Sequence, residues 1–226
     1  MKKTVLVVAM LVSSGWGQTK LLLKATTSML NAAPGGWSQK RAETSQGTTK
    51  VALTMSSVAG PVSGQYFPGS GVFAPGGVKQ YWFSPALSAN VTISGPITPN
   101  LWGLESSTGC HAGFRYEVLK WSRLAGGIVL SLGKSADNGG TEWGTSAAVR
   151  TGPTLTPAAT NFYSGDRIVI VLFNDDASGQ TQASGCSWTL DYGGPAGADG
   201  DSYFQFSENM TFAADSNNGR AVGESE

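Results

Sequence analysis

The sequence predicts an all-β fold, an antiparallel two-sheet β-sandwich of jelly-roll type with extended N- and C-terminal arms. Three observations carry this reading. Apolar residues alternate with polar ones in period two through the middle and late chain, which puts one face of each strand in a core and the other in solvent. Helical spacing over ten or more positions is broken almost everywhere, because 31 glycines and 10 prolines punctuate the chain. Finally, 226 residues with 40% hydrophobic content suit one core-forming domain. The expected organisation is an apolar arm or signal-like segment over residues 1–18, a β-sandwich over 19–212 and a polar tail over 213–226.

Each element has its own justification. Lys2 and Lys3, the apolar run Val5 to Val12 and the small residues Gly15 and Gly17 read as a secretory signal. The same run is too short to span a bilayer, and its β-branched content equally suits an extended arm that buries Val5, Val7 and Leu11 between subunits. Val51, Leu53 and Met55 alternate with polar or small residues as a half-buried strand. The stretch from Ser57 to Gly77, with Pro61, Pro68 and Pro75, reads as a long loop or poor edge strands, and strand character resumes at Lys79 to Phe83. Strands are then expected at Val91 to Ile93 and Ile97 to Leu104. Phe114, Tyr116 and Val118 alternate with Arg115 and Glu117, and another apolar strand runs from Ile128 to Leu132. Arg167 to Phe173 is apolar at every position after the arginine, as in a central strand covered on both faces. Cys186, Trp188, Leu190 and Tyr192 alternate with Ser187, Thr189 and Asp191, and Tyr203 to Phe206 and Met210 to Phe212 close the domain. The core is expected to draw on Phe114, Tyr116, Val118, Val169, Val171, Trp188, Leu190 and Phe204.

Composition excludes several function classes. Fifteen basic and fifteen acidic residues give a formal net charge of zero, so no electrostatic footprint for nucleic acid exists. One histidine and two cysteines are too few for a zinc site of the Cys/His type. His111 has no nucleophile elbow near it, and no phosphate-cradling glycine loop is present. A hydrolase would have to use His111 or an acid pair such as Glu105 with Glu117, and no motif selects these residues. No catalytic residue and no cofactor is therefore expected.

Several residues merit weighing as binding or structural groups. Cys110 and Cys186 each open a strand, a placement compatible with a disulfide; two buried thiols acting as small hydrophobes are the alternative. Asp199 and Asp201, with Asp175 and Asp176, are acidic loop residues able to offer oxygen ligands to calcium, although Asp and Gly are also ordinary turn chemistry. Trp82, Trp102 and Trp188 fall inside apolar strand patterns and read as core. Trp37, Trp121 and Trp143 lie in turn-like contexts and are the candidates for an exposed ligand-binding surface. Asn90-Val91-Thr92 and Asn209-Met210-Thr211 are glycosylation sequons.

The segments "FSPALSANVTISGPITPNLWGLESS", "CHAGFRYEVLK", "SGDRIVIVLFNDD", "GCSWTLDYGG" and "GADGDSYFQFSENMTF" together resemble jelly-roll structural proteins of tailed-bacteriophage virions over about Thr19 to Phe212. The resemblance implies a capsid-decorating or tail-associated role, no catalytic residues, and as partners other copies of the chain and virion structural proteins, with a virion location. The Ser-Gly-Asp-Arg element with its apolar strand is also similar to jelly rolls of secreted enzymes. The alternative reading is therefore a secreted or cell-surface carbohydrate-binding module that contacts a host-surface glycan.

Overall fold

A computed structural model describes residues 17–27, 38–56, 65–66, 80–136, 142–176 and 185–214. These residues form strands and connecting turns with no helix. In chain order the strands are β1 (Thr19–Thr27), β2 (Ser38–Glu43), β3 (Val51–Ser56), β4 (Gln65–Tyr66), β5 (Gln80–Phe83), β6 (Val91–Ile93) and β7 (Ile97–Glu105). There follow β8 (Ala112–Ser122), β9 (Gly127–Lys134), β10 (Ala148–Thr151), β11 (Thr160–Phe162), β12 (Arg167–Asp176), β13 (Ser187–Tyr192) and β14 (Tyr203–Phe206).

Twelve of them belong to one sheet in the order β3-β13-β7-β14-β1-β2-β5-β12-β8-β9, with β10 on β7 and β4 on β12; β6 and β11 form a separate two-stranded sheet. The expectation of a purely antiparallel architecture is corrected here. Strands β2 and β5 run parallel, Ser38 to Arg41 facing Gln80 to Phe83, so the large sheet is mixed. A parallel pair needs a long connection between its strands. The proline- and glycine-rich stretch lies within that connection, which is why the alternation pattern alone could not reveal the pairing.

Period-two burial sets the core as the sequence requires. Phe114, Tyr116 and Val118 on β8, Trp188 and Leu190 on β13, and Phe204 and Phe206 on β14 join one continuous apolar cluster. Central β12 is buried along its first six residues, and its two faces serve different clusters. Ile168, Ile170 and Leu172 enter the main core, whereas Val169 and Val171 pack with Tyr81, Phe83, Leu119 and Trp121 in a second one. Val169 and Val171 thus leave the main core in which the sequence placed them.

On β7 the inward series is Ile97, Pro99, Leu101, Gly103 and Glu105. Gly103 creates a space that Trp143 fills: a Cβ built at Gly103 would lie 1.0 Å from the Trp143 ring atom Cζ3. The same indole meets Phe114 edge-on, with centroids 5.8 Å apart. Filling this space in a well-packed core forces a large rigid ring to move. Gly103→Ala is therefore expected to destabilise the fold by about 1–3 kcal/mol or more, read as a lower urea midpoint with an unchanged slope. Stability equal to wild type would show that the indole relocates freely.

Candidate active site

At the end of β7 the inward period places a carboxylate where the core meets the rim. Glu105 is 2% exposed, and its backbone amide donates to the Gly144 carbonyl at 2.9 Å. Its side-chain Oε2 accepts the Ala112 amide at 3.1 Å. The adjoining turn is held by the Cys110–Cys186 disulfide, with Cα atoms 5.6 Å apart, which fastens the β7–β8 connection to the start of β13. Backbone bonds reinforce this clasp: the Ser106 amide donates to the Ser187 carbonyl, and the Trp143 amide to the Ala112 carbonyl, each at 2.9 Å.

Between the disulfide and β8, His111 adopts φ +52°, a conformation uncommon outside glycine. It presents Nδ1 3.1 Å from Oε1 of Glu142. The Glu142 carboxyl lies near enough to that of Glu105 to raise its proton affinity. The three side chains form a chain from buried to half-exposed, Glu105 to Glu142 to His111. Burial pushes the Glu105 carboxyl up to about 7; the Ala112 amide opposes that shift, while the neighbouring Glu142 carboxyl adds to it. The result is an acid that holds its proton near neutral pH beside a second carboxyl and an imidazole, an arrangement suited to proton transfer.

A second carboxyl pair lies on β13 and the loop after it. Asp191 is buried, and desolvation together with a hydrogen bond to Asp199 raises it to about 6. Lys50 Nζ bridges the pair at 3.5 Å from Asp191 and 2.7 Å from Asp199.

The structure brings Glu105 and His111 together, but the companion acid is Glu142. Glu117 instead accepts a hydrogen bond from Ser131 at 2.7 Å. The core-facing end of the period-two series on β7 was the available signal for Glu105. Nothing in the sequence around it marked Glu142. Trp121 and Trp143, expected as exposed ligand-binding rings, are buried in the two apolar clusters. Trp121 lies on β8 among Leu119, Val169 and Val171, and Trp143 packs against Gly103 and Phe114. Trp102, expected as core, is only half-buried because it points to the opposite face of β7.

Asp199 is engaged by Lys50, and Asp201 accepts from the Gln46 side chain at 3.1 Å and the Gly197 amide at 2.7 Å. Among the described residues no group of three His, Cys, Asp or Glu side chains is placed to hold a metal ion. Val5, Val7, Leu11 and Trp37 lie outside the described residues, as do the side chains of Asp175 and Asp176.

The raised Glu105 pKa has a definite consequence for stability. Its ordinary value is 4.5 and its folded value about 7, so between these limits the unfolded chain gives up a proton that the folded chain retains. The contribution is present below 4.5, falls as pH rises through the window, and levels off above 7. Asp191 acts with the same sign between 3.8 and about 6. Denaturation from pH 4 to 8 is expected to show wild type losing stability relative to Glu105→Gln across the upper part of this window. A constant difference between the two proteins would contradict the raised value.

No family model matches the sequence, and no curated protein matches it. Solved structures do share its fold. An aminopeptidase from a marine-sediment Thaumarchaeota archaeon aligns with a TM-score of 0.50 and 11% identity, over 86% of this chain and 37% of that one. An alpha-amino acid ester hydrolase aligns with a TM-score of 0.50 and 13% identity, over 86% and 36%. A CocE/NonD family hydrolase from Staphylococcus aureus aligns at 0.48, with 12% identity over 84% and 36%. The chain therefore spans little more than a third of the length of the hydrolases it resembles, and at these identities the likeness is one of fold. These findings overturn the resemblance to phage virion proteins and, with it, the virion structural role and the expectation of a non-enzymatic chain. The glycan-binding alternative is not favoured either, since two of its three tryptophans are core residues.

Proposed function

We propose that this chain is a hydrolytic unit in which Glu105, Glu142 and His111 carry out acid–base chemistry on an ester or amide. We also read its large mixed sheet and continuous core as a jelly-roll sandwich. The observation that carries the functional reading is the juxtaposition at the end of β7 of the buried Glu105, its Oε2 on the Ala112 amide, with Glu142, which pairs with His111 at 3.1 Å. Two adjacent carboxyls, one buried and one near the surface, can divide the acid and base roles. The fold likeness to an aminopeptidase and to an ester hydrolase supports the choice of reaction class.

Water is the nucleophile in this scheme. The Glu142 carboxylate, oriented by His111, takes a proton from water as the water oxygen bonds to the acyl carbon. Glu105 gives its proton to the departing alkoxide or amine as the carbon–oxygen or carbon–nitrogen bond breaks. The proton gained by Glu142 then passes to the adjacent Glu105 and restores the starting state. His111 acts as a positioning residue, its ring fixed by the disulfide-bound turn and its Nδ1 directed at Glu142.

The test is hydrolysis of nitrophenyl esters and aminoacyl nitroanilides by the full chain. Wild type is expected to exceed the buffer rate, with kcat falling as pH rises past about 7 and the Glu105 proton is lost. Glu105→Gln and Glu142→Gln are each expected to lower kcat by about 10²–10⁴-fold. Turnover indistinguishable from buffer, or unchanged by both substitutions in folded protein, would refute the proposal.

A further inference from the structure

The acid–base site takes its second carboxyl from the segment before β10, and the register of that strand shows what holds the segment in place. Strand β10 pairs with β7 alone among the described strands, Arg150 opposite Leu101 and Ala148 opposite Gly103. Residues directly opposite in a ladder point to the same face of the sheet. Leu101 and Gly103 belong to the inward series that ends at Glu105. Arg150 is therefore a cation on the face that carries Glu105, and it is half-buried there.

The bonds of the guanidinium go to backbone. Nε donates to the Glu142 carbonyl at 3.1 Å and Nη1 to the Val149 carbonyl at 3.2 Å. Nη2 lies over Gly144, where an added Cβ would stand 3.0 Å from it. The group thus spans Glu142 to Gly144, and each residue of that segment takes part in the site. Glu142 carries the carboxyl 3.1 Å from His111 Nδ1, Trp143 fills the space above Gly103, and the Gly144 carbonyl accepts the Glu105 amide at 2.9 Å. A planar fork of donors can hold two points of a backbone at once, which the point charge of a lysine cannot. The influences on the Glu105 proton are burial, the Ala112 amide, Glu142 and His111, with Arg150 not among them. Its part is mechanical.

We propose that Arg150 is a positioning residue for the acid–base site: by holding the Glu142 carbonyl and covering Gly144, it keeps the Glu142 carboxyl beside His111 and Glu105. The inference rests on the acid–base reading of that site and adds to it the residue that sets its geometry. An inward charge on an edge strand has another use, which is to block pairing with a further chain. That use requires no bond to Glu142, and it predicts no change at Glu105 when the arginine is removed.

The test compares the full wild-type chain with Arg150→Met, which keeps an unbranched stem, and with Arg150→Gln. The first measurement is the ¹³C carboxyl titration of Glu105. Removing a positive charge would by itself raise a carboxyl midpoint, whereas withdrawal of the Glu142 carboxyl lowers that of Glu105. A midpoint below the wild-type value is expected in both variants. The second measurement is nitrophenyl ester hydrolysis, in which kcat is expected to fall about ten- to hundredfold with KM little changed, as when a group that acts in the transition state is displaced. Circular dichroism and melting establish that each variant is folded, and Arg150→Gln decides alone should Arg150→Met fail to fold. A midpoint equal to or above that of wild type, or a wild-type kcat, in a folded variant would overturn the proposal; so would a loss of stability with both unchanged, which would make Arg150 a strut of the edge strand. Wild type without turnover would refute the hydrolytic reading, and the direction of the Glu105 shift would still decide the place of Arg150.

Discussion

The Cys110–Cys186 disulfide is the constraint on which the acid–base site depends. It joins the connection between β7 and β8 to the residue before β13, next to the rung at which Trp188 pairs with Glu105. Closing so long a loop restricts the unfolded chain by about 2–4 kcal/mol. Its local effect is as important. With Cys110 fixed and buried, His111 must leave the turn at positive φ before β8 begins, and the Ala112 amide then faces Glu105. The Trp143 indole closes the space above Gly103 and brings the preceding Glu142 alongside.

Buried acids elsewhere in the molecule show what is unusual about Glu105. Asp166 is equally buried, yet Lys120 lies 2.9 Å away and the Arg123 and Tyr163 amides donate to its two oxygens. That carboxylate is neutralised and fully bonded, as a structural acid is expected to be. Lys120 is itself further occupied by the Asn161 carbonyl and by the rings of Phe162 and Tyr163. Glu105 has one amide donor and, in place of a lysine, another carboxyl. Desolvation is the largest influence on it and outweighs the Ala112 amide and His111, which act in the opposite direction.

The strand pattern was legible because period-two burial is a direct consequence of the pleat. Phe114, Tyr116 and Val118 are inward, Trp188 and Leu190 likewise, and β12 is covered on both faces because no residue from Ile168 to Leu172 is polar. The pattern does not encode which strands become neighbours. The parallel β2–β5 pair was consequently invisible, as was the division of β12 side chains between two clusters. Turn-like sequence around Trp121 and Trp143 misled for a related reason: a residue beside glycine or serine can still bury its ring in an apolar cluster. Of the site, Glu105 and His111 were visible as individuals, whereas Glu142 acquires meaning only from residues far away in sequence. The resemblance to virion jelly rolls rested on strand texture that unrelated sandwiches share, and fold texture does not specify function.

The most direct measurement of the central claim is a ¹³C carboxyl titration of Glu105 in the oxidised protein and again after the disulfide is reduced. If the clasp creates the site, the oxidised protein titrates near pH 7, and reduction moves the midpoint down toward an ordinary carboxyl as water reaches the group. The same elevated midpoint in both forms would show that Glu105 owes its proton to something other than the Cys110–Cys186 constraint, and an ordinary midpoint in both would remove the acid–base site itself.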